Sequence, residues 1–357
     1  MGGKLALFPM TREQCAIARY PSLLQKYVLS HFFVPKFKHH LNGMDVSKLD
    51  GGEDIGAAVT ICNLESLADA DVLFVDYDER IENKNIYQRV ISDATEKGVE
   101  VVLSNLMEQI LSNEPKIWST EPPMTTTNED SLYDIQVPII TVLSQGIRTD
   151  QFAVELALRK YFTEIGYNVS QIGSINASQF FGFDGVPDFL LEPRDAYDKI
   201  LRFNHYVNDI VNKDQSDLII IGVPGAIMKY NNKILQDLGI LPFVISNAVE
   251  CDTSILCMYN AKYNKQYFDE MVKYSQYRLD TPVRFFCISN TGASPDVRTD
   301  GSKLSYYDLD SDFVLNGIKN EIEPGNYYIF NALNNSSIKV ACMAVQEDLT
   351  GNVSSIR

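Results

Sequence analysis

Between the apolar run Ile139 to Leu143 and an amphipathic stretch that begins at Gln151 lies a short polar segment, Ser144-Gln145-Gly146-Ile147-Arg148-Thr149-Asp150-Gln151. A segment joining a strand to a helix turns the first unpaired helix amides, and the positive end of the helix dipole, toward whatever anion sits there. The chemistry of such a place is phosphate binding. A hydrolytic phosphate loop reads GxxxxGK followed by Ser or Thr, the lysine neutralising terminal phosphates and the hydroxyl holding magnesium. Here Gln151 and Phe152 occupy those last two positions, and Gly146 lies early in the loop. Arg148 offers a guanidinium suited to bidentate phosphate contact. Asp150 places a carboxylate where phosphate oxygens would lie, and its type suits a helix N-cap. The segment therefore predicts a site for ATP or GTP in which magnesium is poorly held, charge on a transferred phosphoryl group is poorly stabilised, and hydrolysis is weak or absent.

Three further groups of residues have types that bind ligands. The run Asp217 to Gly225, DLIIIGVPG, ends in Gly222 and Gly225, whose lack of a side chain lets backbone approach a ligand closely. Asp217 opens that strand, so no magnesium-binding acid follows it. In FFGFDGVPD, Phe181 and Phe183 are candidates for an apolar wall, with Asp184 or Asp188 as a polar anchor. Ser246, Asn247, Glu250 and Asp252 follow another apolar run, and Asn247 is the candidate there for reading a base or a peptide end.

The elements that must position these groups alternate between strand and helix, the pattern of an α/β protein. Leu5 to Phe8, Ala57 to Ile61, Asp71 to Asp76 and Val99 to Leu103 predict strands, with a helix over Ile86 to Lys97 stopped by Gly98. After EPKIWSTEPPMTTTNED the pattern restarts: strand, polar loop, a helix from Gln151 to Ile165 with Val154, Leu158, Tyr161 and Ile165 on one face, Gly166, and a strand. A helix over Tyr197 to Asn212 precedes DLIIIG, and a unit from Lys233 to Gly239 leads into LPFVISNAV as another strand. Strands at Ser254 to Tyr259 and Val283 to Ser289 flank a helix over Lys265 to Tyr277. NYYIFNAL and IKVACMAV predict a terminal pair of strands joined by a polar turn. The expected organisation is a Rossmann-like α/β domain at residues 1–112, a linker at 113–136, and a mostly parallel P-loop NTPase-like domain at 137–357.

Composition limits the function. With 45% hydrophobic residues over 357 positions the chain has material for two cores. A formal charge of −16 repels nucleic acid and anionic membrane surfaces. Met1 to Pro9 has no signal-peptide pattern and no apolar run is long enough to span a membrane. Six scattered cysteines without a CxxC pair suit reduced core thiols, hence a cytoplasmic protein. His39-His40 follows Pro35 beside lysines and reads as solvated surface, so no metal site is expected.

The stretches LSQGIRTDQFAVELALRKYFTEIGYNVSQIGS, FFGFDGVPDF, IIIGVPGAI and FVISNAVECDTSILC resemble the peptide maturation system proteins that accompany precursor and radical-enzyme genes in clusters for ribosomally made, bacteriocin-type peptides. More distantly, the chain resembles phosphate-loop proteins that carry a second α/β domain in front. The resemblance implies a role in maturation or export of a modified peptide, partners among precursor peptides and maturation enzymes, and a nucleotide site at Ser144 to Gln151. It also implies a Thr-x-Lys-Phe core in the loop; Thr149 and Phe152 match it, and Gln151 replaces the lysine. Three functions fit: an accessory protein binding a nucleotide or precursor peptide; an active ATP- or GTP-dependent ligase or kinase using Arg148, Lys229 or Lys233 in the lysine's stead; or a non-catalytic scaffold whose acidic surface docks a basic leader peptide.

Overall fold

The computed structural model describes residues 2–78, 80–112, 131–321 and 326–354. Most of the linker segment expected at 113–136, namely 113–130, lies outside them. The chain divides into two compact units, Met1–Trp118 with Asn176–Gly182, and Ser119–Ile175 with Phe183–Arg357. The fold is α/β with mostly parallel sheets, a Rossmann-like unit and a P-loop-like one.

The first unit contains β1 (Gly3–Phe8), α1 (Cys15–Arg19), β2 (Tyr27–Val34), β3 (Val59–Ile61), α2 (Leu64–Leu67), β4 (Val72–Val75), α3 (Asn85–Glu96), β5 (Glu100–Leu103) and α4 (Asn105–Ser112). Its strands pair in parallel in the order β3-β2-β1-β4-β5. β4 is buried at every position, as a central strand covered on both faces must be. Ala6, Phe8, Leu73 and Val75 pack with Tyr87, Val90 and Ala94 of α3.

The second unit follows with β6 (Ile139–Ser144), α5 (Gln151–Glu164), β7 (Val169–Ile172), α6 (Ala196–Asp214), β8 (Leu218–Gly222), α7 (Ile240–Ala248), β9 (Thr253–Met258), α8 (Lys265–Leu279), β10 (Val283–Ile288), β11 (Thr291–Pro295), β12 (Leu304–Asp308), α9 (Ser311–Glu321), β13 (Tyr328–Phe330) and α10 (Asn335–Ser354). Six strands form a parallel sheet in the order β13-β10-β9-β6-β8-β7, and β11 and β12 form an antiparallel pair. The strand that feeds the polar loop, β6, is flanked by β8 and β9, and all six of its residues are buried.

Three expected elements differ. LPFVISNAV forms α7, not a strand: Val244, Ile245 and Ala248 are buried with helical spacing, Phe243 and Asn247 are exposed, and Pro242 falls in the first turn, where no intrahelical N–H is needed. The expected terminal strand pair is also overturned. Tyr328–Phe330 is a strand, but IKVACMAV lies in α10, with Ile338, Ala341, Cys342 and Val345 buried at i, i+3, i+4 and i+7. The third correction follows from the second. α5 was expected to bury one face, yet Phe152 to Leu158 is buried all round while Ile165 is exposed, because α10 packs on the outer side of α5. The Tyr161 hydroxyl donates to Gln346 across that contact at 2.5 Å. Among the described residues no helix is long and apolar enough to cross a membrane, and all six cysteines are buried and free.

Candidate functional site

The loop Ser144–Gln151 sits at the carboxyl end of β6, between the ends of β8 and β9, where parallel α/β sheets bind ligands. Its polar side chains are largely engaged with the sheet. The Ser144 hydroxyl donates to the Gly225 carbonyl at 2.9 Å, and the Gln145 amide N–H donates to Cys257 O of β9. The Gln145 carboxamide ties in three tyrosines: its Oε1 accepts from the Tyr259 N–H and the Tyr263 hydroxyl, and its Nε2 donates to the Tyr267 hydroxyl. Thr149, buried, donates from its hydroxyl back to Gly146 O at 3.0 Å.

Gln151 shows why the loop lacks a catalytic cation. Its Nε2 donates to the carbonyls of Val142 on β6 and Val223 after β8, both at 2.8 Å. The side chain that would be the phosphate-neutralising lysine is a neutral clasp between two strand ends. Position 152, where a magnesium-binding hydroxyl belongs, is a buried Phe. Among the described residues there is no group of three or more His, Cys, Asp or Glu placed to hold a metal ion.

Arg148 and Asp150 both adopt left-handed backbone, φ 64° and 60°. Such a conformation costs a residue with a β-carbon on the order of 1–2 kcal/mol. It aims the Arg148 guanidinium over the Tyr306 ring, 4.9 Å from its centroid. It also denies Asp150 the expected capping role: its carboxylate makes no bond to the α5 amides, because a cap residue reaches them from extended backbone. Oδ2 accepts instead from the Asn290 N–H at 3.1 Å. Ile147 projects into solvent.

Above the loop lies a set of tyrosines. Tyr259 packs 6.0 Å from Tyr306 and 6.4 Å from Tyr230, and Tyr263 stacks on Tyr267 at 4.7 Å. Burial pushes the Tyr230, Tyr259, Tyr263 and Tyr267 hydroxyls up from their ordinary range, so all four are neutral hydrogen-bonding groups. Gly146 is a close-approach position. A β-carbon there would collide with the Tyr259 hydroxyl and lie 2.5 Å from Gln236 Nε2. The hollow over Gly146 is therefore occupied by those two side chains.

Beneath the loop, one helical turn after Gln151, Glu155 is wholly buried. Its carboxyl fills the space a side chain on Gly222 would need. Oε2 accepts from the Ser174 N–H at 3.1 Å; Oε1 has no hydrogen-bond partner among the described residues. Burial drives this carboxyl up to about 8, opposed by Ser174 and by Gln171. Gly222 thus serves helix packing, while Gly225, with φ 79°, has open space at its β-carbon position.

The other candidate residues lie elsewhere. Phe181, fully buried, belongs to the first unit, where its neighbour Phe180 packs edge-on against Tyr27 and Phe74. Phe183 belongs to the second, under the Arg159 guanidinium at 4.8 Å. Asp184 is exposed, its carbonyl accepting from the Gly173 N–H. Asn247 does not follow a strand, as expected, but sits in the last turn of α7, donating to Phe243 O. That turn leads into the start of β9, at the sheet edge opposite the loop, where Asp252 accepts from Ile139 N–H. Lys229 donates to Asn232 and Lys233 to Asp300, both on exposed surface. Sequence reading missed Glu155, Gln236, Tyr259 and Tyr306. A carboxylate between Val154 and Leu156 on a sheet-packing helix was the one visible signal.

No family model and no curated protein matches the chain. Among solved structures, a DUF1611-family protein from Anabaena variabilis is 12% identical, with a TM-score of 0.59 over 97% of this chain and 100% of that one. At that identity the likeness shows the fold alone. A pseudomurein peptide ligase type C from Methanothermus fervidus aligns at 9% identity over 71% of this chain and 38% of that one, with a TM-score of 0.25, too low for any inference.

Proposed function

We propose that this protein is a non-hydrolysing accessory protein of ribosomal peptide maturation, which uses the loop Ser144–Gln151 as an anion seat for a nucleotide or a precursor peptide. The observation that carries the reading is Gln151. It stands at the start of α5, after the strand β6 that β8 and β9 flank, and spends its side chain on the Val142 and Val223 carbonyls. The scaffold of a phosphate loop is kept, with the positive end of the helix dipole directed at the loop and the Arg148 guanidinium beside it over the Tyr306 ring. What phosphoryl transfer requires, a lysine and a magnesium ligand, is replaced by an amide and a phenyl ring. The maturation setting rests on the sequence resemblance described above.

Calorimetry with ATP, GTP, their diphosphates and a precursor peptide, with and without magnesium, tests the reading alongside a phosphate-release assay. The expected outcome is saturable binding of at least one of these ligands, insensitive to magnesium, with no phosphate released. Steady turnover that Arg148→Ala abolishes would instead establish a ligase or kinase. Heat from none of the ligands would remove the anion seat.

A further inference from the structure

The outer side of α8 carries a hollow of 390 Å³ lined by Glu270, Lys273, Tyr274, Tyr277 and Arg278. Their i, i+3, i+4, i+7 and i+8 spacing sets the five on one stripe of the helix, a different face from the one that buries Phe268, Met271, Ser275 and Leu279. The walls are chiefly apolar, ring faces and aliphatic stems, although three of the five side chains end in a charge. Tyr277 is 87% exposed.

The hollow adjoins a second apolar surface. The Tyr274 hydroxyl donates to Ile227 O at 3.0 Å, and the same carbonyl bars a side chain at Gly239, where a β-carbon would lie 2.2 Å away. Gly239 closes a turn in which Gln236, Asp237 and Leu238 also hold left-handed backbone, with φ of 46°, 54° and 56° before its own 75°. Residues with β-carbons visit that region singly and at a cost. Leu235 and Leu238 of this segment are exposed, and α7 follows at once with Ile240 and Phe243 exposed one helical turn apart. Large apolar side chains that lead up to an apolar hollow mark a surface that another molecule covers.

Charge says what covers it. Among the described residues Lys273 has no ion-pair or hydrogen-bond partner, and Arg278 pairs with no carboxylate, its Cζ lying 6.0 Å from the Tyr274 ring centroid. The acids nearest in sequence, Glu270 and Asp280, accept from Gln266 and Gln276 and bind no cation. Two cations against one carboxylate make the hollow positive, in a chain of net charge −16. A second copy of the chain does not suit it, because a two-fold contact through this face would set Lys273 and Arg278 against themselves.

We propose that the face formed by the α8 hollow, the turn 235–239 and the start of α7 docks an acidic, apolar segment of a partner protein. Apolar side chains of that segment enter the hollow between Tyr274 and Tyr277, and its carboxylates meet Lys273 and Arg278. The proposal does not depend on the anion seat.

The test uses the full chain and two labelled peptides with the same Leu and Phe positions, one with Glu and one with Lys at the positions between, followed by fluorescence anisotropy. The Glu peptide should bind saturably, at least about tenfold more tightly than the Lys peptide, and should loosen as salt is raised. Lys273→Glu and Tyr277→Ser should each weaken it by about tenfold with the melting temperature unchanged, since both side chains are exposed. Lys319→Glu, exposed on α9, should leave binding as it is. Equal binding of the two peptides, no binding of the Glu peptide, or the same loss from Lys319→Glu as from Lys273→Glu would overturn the proposal. So would a dimer in sedimentation that Tyr277→Ser breaks, which would give the face to a second copy instead.

Discussion

β1 and β6 are both central strands of parallel sheets, and each runs into a helix at the carboxyl edge, yet the two edges carry different chemistry. In the first unit several carboxylates near that edge are paired with cations, although Thr11 and Gln14 there also keep a buried oxygen without a hydrogen-bond partner among the described residues. Arg19 grips Asp50 through two nitrogens, at 2.6 and 2.9 Å, and Asp78 receives Lys38 at 2.5 Å and Arg80 at 2.9 Å. In the second unit the edge holds neutral phenols, carboxamides, left-handed backbone and, in Glu155, a buried carboxyl with one oxygen without a hydrogen-bond partner among the described residues. A shared central position in a parallel sheet does not dictate equivalent use, and the strand orders around β1 and β6 differ. Where ion pairs dominate the edge is a brace; where neutral groups dominate and successive residues are held in left-handed backbone, it is shaped for something else.

The contrast breaks most visibly in the brace. Asp50→Ala leaves Arg19 buried without its carboxylate and should cost about 3–5 kcal/mol, read as a lower denaturant midpoint. The second unit answers to pH instead. Glu155, ordinarily near 4.5 and raised to about 8 when folded, is protonated in the native state while the unfolded chain is already ionised. The native state then binds more protons, so stability falls as pH rises from 4.5 to about 8 and levels off above. The loss is on the order of 5 kcal/mol. Glu155→Gln should flatten that slope in a series of unfolding curves and stabilise the protein at pH 8. Gly222→Ala drives a methyl group into the Glu155 carboxyl and should cost about 1–3 kcal/mol in the same assay. Least affected is Lys233→Ala, an exposed pair with Asp300, within about 0.5 kcal/mol of wild type.

How much could be read in advance depended on where the deciding contacts lay. β4 and β6 were legible because a doubly covered strand is an unbroken apolar run bounded by polar residues, and α3 because Gly98, at φ 75°, ends it. The i, i+3, i+4, i+7 pattern of α10 was present in Ile338, Ala341, Cys342 and Val345, but the residues between them, Val340 and Met343, are exposed and apolar and hid the polar face. That misreading hid the second cover of α5. The loop's position and its missing lysine were visible because they are local. Its occupants were not: Gln236, Tyr259 and Tyr306 come from distant parts of the chain, brought together by the order of strands and not by spacing. The left-handed turn at Gln236 to Gly239 had only its glycine as a signal.

The account stands on the loop as an anion seat without a catalytic cation, and amide chemical shifts measured while acetate and then pyrophosphate are titrated into the full chain test it most directly. Saturable shifts centred on Gly146, Ile147 and Arg148, with the side-chain amide of Gln236 moving alongside, are the predicted result. Shifts that never saturate, or that appear only away from this loop, would contradict it.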